Sequence, residues 1–222
     1  MVPRELIDTA LVPGGGELRL FRRGDDFSIM LGANELMSSR LSGSEEALAS
    51  LAHERLGPRV APHVLIGGLG MGFTLRAALA LLDPAAQVTV AELVPAVVAW
   101  ARGPMAPLFG GCLADERVRL VEQDVAALIG GALGMYDAIL LDVDNGPDGL
   151  TRAGNDRLYS PRGLEAARAA LAPGGVLAVW SAAADARFTR RLSDAGFAVE
   201  EVAVKARGSR GARQVIWCAT RP

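Results

Sequence analysis

Cysteine, histidine and lysine are scarce in this chain, and each scarcity narrows what it can be. The two cysteines, Cys112 and Cys218, lie far apart and form no CxxC pattern. That speaks against a disulfide framework and makes a reducing cytoplasm the expected compartment. The two histidines, His53 and His63, have no ligand neighbours at a metal-binding spacing, so no metal site is expected. There is no nucleophile-elbow motif, which leaves a histidine-based serine or cysteine triad poorly supported. Lys205 is the only lysine, so nearly all the positive charge is arginine, which reads as a compositional bias. The formal net charge is −2, with acids and bases mixed along the chain. No basic stripe of the kind that marks nucleic-acid proteins is present, and no nucleic-acid partner is expected. The stretch "MVPRELIDTALVPGGG" lacks the basic-then-apolar pattern of a signal peptide. Apolar runs such as "AALALL" and "DAILLD" are far shorter than a bilayer span, so no membrane partner is expected either.

What the chain does have is a large apolar content. Half of its 222 residues are hydrophobic, which suits one α/β domain with a small appendage. Residues 1–16 read as a loose lead-in ending in glycines. "ELRLFRR" and "DFSIML" alternate about Gly24-Asp25, a turn signal, and predict a β-hairpin; "ANELMSS" adds a third short strand. "SGSEEALASLAHERLG" predicts a helix capped by Ser42 or Ser44 and stopped at Gly57-Pro58. Its apolar stripe is Ala47, Leu48, Leu51, Ala52 and Leu56. Residues 1–57 are therefore taken as an N-terminal β-hairpin region with a helix, and residues 58–222 as the main domain.

From residue 62 the rhythm becomes strand, helix, strand. The strands "HVLIGG", "QVTVAE", "RVRLVEQD", "YDAILLD" and "GGVLAVWSA" are separated by the helices "GFTLRAALALL", "VPAVVAWARG", "VAALIG" and "PRGLEAARAALA". A helix "DARFTRRLSDAG" leads into a closing hairpin, "FAVEEVAVKAR" and "ARQVIWCATR". Nearly all-apolar strands joined by helices predict a doubly wound, mostly parallel, seven-stranded sheet of the Rossmann-like, class I methyltransferase type.

Chemistry-bearing residues fall where such a sheet binds ligands, at the carboxyl ends of its strands. Gly68, Gly70 and Gly72 follow the first parallel strand and let the backbone turn tightly and approach a ligand. The next strand ends in Glu92, about twenty residues on, where a carboxylate can accept from both ribose hydroxyls. The third ends in Asp124, placed to meet an adenine amino group. Met71 within the loop, and Leu93 and Val125 beside the acids, are counted with them. A pyrophosphate-binding GxGxxG is absent because its last position falls on Phe73, which favours an S-adenosyl ligand over NAD.

The span from about residue 17 onward resembles the spermidine synthase (polyamine aminopropyltransferase) family. The matching pieces are "VLIGGLGMGFTLRAAL", "VTVAELVPAVVAWAR", "RVRLVEQDV", "YDAILLDVDNGP" and "LYSPRGLEAARAALAPGGVLAVWS". The resemblance implies decarboxylated S-adenosylmethionine, or S-adenosylmethionine, as co-substrate and a small-molecule amine as acceptor. It also implies transfer of an aminopropyl group and assembly as a homodimer. Asp142 would be the first acid of the family's paired-acid motif; Asn145 occupies the second acid's place, and Asp144 is the neighbouring substitute. Asp142 and Asp144 are the expected catalytic residues. Glu35, Asn145, Tyr159 and Trp180 are the expected acceptor-site residues, with Glu45 and Glu46 as further nearby acids. Met71 stands where the family carries a loop acid that holds the aminopropyl tail. That substitution keeps methyl transfer from S-adenosylmethionine to a small molecule open as an alternative, beside a non-catalytic nucleoside-binding role.

Overall fold

A computed structural model of the chain describes residues 2–13, 15–143, 156–207 and 210–222. Four N-terminal strands form one antiparallel sheet in sequence order: β1 (Glu5–Leu11), β2 (Glu17–Arg23), β3 (Asp26–Leu31) and β4 (Asn34–Ser38). The expected lead-in is therefore partly a strand. β1 alternates poorly because five of its seven residues are exposed, so it carries no two-faced signature. On β2 and β3 the alternation does decide the packing: Leu18, Leu20, Phe27 and Ile29 all turn to one buried face. Between β3 and β4 the register slips, so that Ile29 faces Met37 and Met30 faces Glu35, leaving Leu36 as an extra residue.

The helix α1 (Gly43–Leu56) follows, with Ser42 at its N-cap position but making no side-chain capping bond. Its buried residues are Ser44, Leu48, Ala49, Ala52 and Leu56, while Ala47 and Leu51 are half-buried. The remaining elements are β5 (His63–Gly67), α2 (Phe73–Leu81), β6 (Gln87–Glu92), α3 (Pro95–Arg102), α4 (Ala106–Phe109), a 3-10 turn (Cys112–Ala114), β7 (Val118–Glu122), α5 (Val125–Gly130), β8 (Tyr136–Leu141), α6 (Asp156–Tyr159), α7 (Pro161–Ala170), β9 (Leu171–Ser181), α8 (Ala186–Asp194), β10 (Ala198–Arg207) and β11 (Arg210–Thr220). The short α4 and the turn after it have no counterpart in the sequence reading.

Seven strands form the main sheet in the order β10-β11-β9-β8-β5-β6-β7. β5 to β9 run parallel, and β11 is antiparallel to both of its neighbours. The doubly wound arrangement is as the strand–helix rhythm predicts. One face is covered by α1, α2 and α3 through Leu48, Leu75, Val97 and Trp100; the other by α5, α7 and α8 through Ile129, Leu164 and Phe188. Leu18, Leu20, Phe27 and Ile29 of the small sheet join the first of these cores. Packing is thus continuous across residue 57, and α1 lies against α2 and against β9 of the main sheet. A further tie is the indole of Trp100, which donates to Asp8 Oδ2 at 2.7 Å and so joins α3 to β1. Among the described residues no helix is long and apolar enough to cross a membrane.

Phe188 is the hinge pin of the second core, fully buried and edge-on to both Tyr159 at 5.6 Å and Trp217 at 4.9 Å. Phe188→Ala is expected to lower unfolding free energy by about 3–5 kcal/mol. A denaturant titration checks this, and a loss well below that range would show that the core refills the space.

Candidate functional site

The carboxyl ends of β5, β6 and β8 meet at a point of close backbone approach. Gly67 accepts from the Asp142 amide at 3.1 Å, and the Gly68 amide donates to the Ala91 carbonyl at 2.8 Å. Gly68 has φ +91°, and a β-carbon there would collide with the carbonyl oxygen of Asp142. Gly70 has φ +50° and lies beneath Met37 of β4, whose sulfur would be 2.8 Å from an added β-carbon. Only glycine satisfies both the dihedral and the space at these two positions.

Glu92, at the end of β6, is buried to 8% exposure. Its Oε2 accepts from the Leu69 amide at 3.0 Å and its Oε1 from the Val94 amide at 2.8 Å. Burial pushes its pKa up, and these backbone donors pull it back. Each oxygen retains a second lone pair, so the carboxylate can still accept from a ligand hydroxyl. Asp124, exposed at the end of β7, caps α5 by accepting from the Ala126 amide at 2.9 Å.

Over these ends lies a cavity of about 150 Å³. Gly68, Gly70, Glu92, Leu93, Asp124, Val125 and Asp142 all line it. Its roof is the small sheet, through Leu18, Ile29, Leu31, Leu36 and Met37, and Gln123 and Val94 complete the wall. Sequence reasoning missed the roof. The one-sided alternation of β2 and β3 shows a face that must be covered, but not by what.

Met71 and Gly72 do not line this cavity. They line a smaller recess beside it, with Met37, Ser38, Glu45, Thr74 and Asp142. There the Thr74 hydroxyl donates to Asp142 Oδ2 at 3.2 Å and lies 3.5 Å from the Glu45 carbonyl oxygen. Burial, and secondly the nearby Glu45, push the Asp142 carboxyl up to about 7, against the Thr74 bond, which lowers it. Glu45 is also raised, by burial first, while the Ser44 hydroxyl donating at 2.6 Å opposes the shift.

Three expected acceptor-site residues are placed elsewhere. Glu35 is exposed and borders a basin with Arg4, Arg23 and Arg40, because the register slip turns Leu36 and Met37, not Glu35, toward the cavity. Tyr159 is 1% exposed in the core on the other face of the main sheet. Trp180 lines neither space; it packs at the edge of the first core, and its indole N–H is buried with no hydrogen-bond partner among the described residues. Glu46 is exposed on α1. Asp144 and Asn145 lie outside the described residues. Among the described residues no group of three or more His, Cys, Asp or Glu side chains could hold a metal ion.

No family model matches the chain. Over 167 residues, 73% of its length, it is 30% identical to polyamine aminopropyltransferases of Mycobacterium tuberculosis and Mycobacterium bovis. The chain spans about 30% of the length of these curated relatives. A solved spermidine synthase from Thermotoga maritima superposes with a TM-score of 0.74 at 18% identity, covering 98% of this chain and 73% of that one. The chain is spermidine synthase-like in its fold. A spermidine synthase in complex with the transition-state analogue AdoDATO gives a TM-score of 0.73 at 18% identity over 98% of this chain and 72% of the other. A probable spermidine synthase from Corynebacterium glutamicum gives 0.67 at 16% identity, over 98% and 81%. The spermidine synthase fold, a small antiparallel sheet ahead of a mostly parallel one, matches the expectation from sequence.

The raised carboxyl of Asp142 sets a sign for stability. A group that holds its proton to about pH 7 when folded, but only to its ordinary 3.8 when unfolded, stabilises the fold most below pH 4 and loses that contribution as pH rises through 7. Asp142→Asn, which cannot ionise, is therefore expected to gain stability over wild type at pH 8 relative to pH 5. Melting temperatures of both proteins at the two pH values check this; an equal difference at both would contradict the shift.

Proposed function

We propose that this spermidine synthase-like chain is an aminopropyltransferase. It binds decarboxylated S-adenosylmethionine and passes the aminopropyl group to a small-molecule amine. The observation that carries the reading is Glu92. It is a buried carboxylate fixed by two backbone donors at the rim of a cavity whose floor is the glycine loop. That is a preorganised acceptor for a diol, and Asp124 stands at the same cavity for an adenine amino group. The apolar roof of Leu18, Ile29 and Leu31 suits the flat faces of a base.

In the transfer the amine nitrogen attacks the carbon beside the sulfonium. The carbon–sulfur bond breaks, its electron pair stays on sulfur as a thioether, and the nitrogen gives up a proton. Asp142 lines the cavity, and with its carboxyl raised to about 7 it is a base matched to neutral pH. The rest is alignment of amine, carbon and sulfur, which the rigid strand ends supply. The names of the relatives favour aminopropyl over methyl transfer and over a non-catalytic role. Asp144 remains a proposed second acid, and a homodimer a proposed assembly.

Calorimetric titration is expected to show decarboxylated S-adenosylmethionine binding at least ~10-fold more tightly than S-adenosylmethionine, about 1.4 kcal/mol. The reverse preference would contradict aminopropyl transfer. Glu92→Ala is expected to weaken methylthioadenosine at least ~10-fold, near the cost of about 1.4 kcal/mol for lost hydrogen bonds to a charged group. Unchanged affinity would remove Glu92 from the ribose.

A further inference from the structure

The antiparallel order of the small sheet brings the start of β1, the end of β2, the start of β3 and the end of β4 to one end. The nucleoside cavity is reached from the opposite end, through Val12, Leu18, Leu31 and Leu36. At the first end is a basin of about 480 Å³, which shares no lining residue with that cavity. Its size is that of a small-molecule site. Arg4, Arg22, Arg23 and Arg40 line it, against two acids, Asp26 and Glu35. These arginines come from three separate stretches of the chain, so the fold gathers them and no basic run does.

Their charge is fixed in place with little to neutralise it. Arg4 stacks 4.0 Å from the centre of the Phe21 ring and donates to the Ser28 hydroxyl at 3.0 Å. Arg22 donates through Nε to the Gly24 carbonyl at 2.7 Å, and Arg23 through Nε to the Val2 carbonyl at 3.1 Å. Only Arg40 has an acidic partner, Asp26, at 4.0 Å between half-exposed side chains. A pair so placed contributes little. Glu35 makes no ion pair among the described residues. Among those residues Arg22, Arg23 and Arg40 make no hydrogen bond through either Nη, so the outer forks of three guanidinium groups are free. Neutral partners that orient a cation without cancelling it leave it preorganised for an anion. Folding alone gains nothing from setting four like charges around one hollow. A phosphate relieves the repulsion best, because its oxygens accept from guanidinium forks two at a time.

We propose that this end of the small sheet is a phosphate-binding site, separate from the nucleoside cavity. The phosphate belongs to a soluble small molecule or to a lipid headgroup, and the two sources are separable by experiment. The site does not depend on what fills the nucleoside cavity.

The test is calorimetry with pyrophosphate on wild type, Arg23→Gln and Arg190→Gln. Arg190 is exposed on α8, on the other face of the main sheet, so both variants lose one charge and only one loses it from the basin. Pyrophosphate is expected to bind wild type and Arg190→Gln alike, and Arg23→Gln at least ~10-fold more weakly. Arg4→Gln, which keeps the bond to Val2, gives a second reading, and thermal melts show which variants are folded. Cosedimentation with phosphatidylcholine vesicles, with and without phosphatidic acid, runs in parallel. Pyrophosphate binding that the basin variants weaken assigns the site to a soluble phosphate. Binding only to the phosphatidic acid vesicles, weakened by the same variants, assigns it to a headgroup. Wild type binding neither, equal losses in Arg23→Gln and Arg190→Gln, or unchanged binding in the folded basin variants would overturn the proposal.

Discussion

The site depends on the carboxylate of Glu92. It ends β6, yet its two oxygens accept from Leu69 in the glycine loop and Val94 ahead of α3. One buried charge therefore fixes the turn after β5 and the turn after β6 relative to each other. Two amide donors are what make the burial tolerable, since an unpaired carboxylate at this depth would be neutralised or expelled. The glycine loop is held from its other side by Gly68, which lies against the carbonyl of Asp142. The ends of β5, β6 and β8 are thus locked as a unit, and the cavity above them is preformed.

The small N-terminal sheet acts as the lid of that cavity. Its buried face, Leu18, Leu20, Phe27 and Ile29, continues the core that α1, α2 and α3 build on the main sheet. The same helix α1 that buries Leu48 and Ala52 in this core presents Glu45 at its first turn to the recess beside Asp142. Stability and charge at the site are joined in one element. Asp142 feels this directly, because Glu45 is, after burial itself, what raises its carboxyl to about 7.

Much of this was legible in the sequence, for a physical reason. In a parallel α/β sheet every strand ends on the same edge, so Gly68, Glu92, Asp124 and Asp142 had to converge once the strands were recognised. Position along the chain sufficed for them. It did not suffice for residues whose role depends on which side of the sheet they occupy. Tyr159 comes between β8 and β9 in sequence, as Asp142 does, but packs against Phe188 on the opposite face. Glu35 lost its place to Leu36 and Met37 through a register slip that no periodicity announces. Glu45 was visible as an acid among three, yet only the crossing of α1 over the start of α2 sets it beside Asp142, with Thr74 between them.

The central claim is that one preformed cavity, built on Glu92 and roofed by the small sheet, takes an adenosyl ligand. Amide hydrogen exchange with and without methylthioadenosine tests it most directly. The account predicts slowed exchange on binding at Leu69 and Val94, around Asp124, and in the roof strands β2 and β3, with no change at the distant hairpin β10–β11. Slowed exchange confined to segments away from the ends of β5, β6 and β7, or none anywhere at saturating ligand, would contradict it.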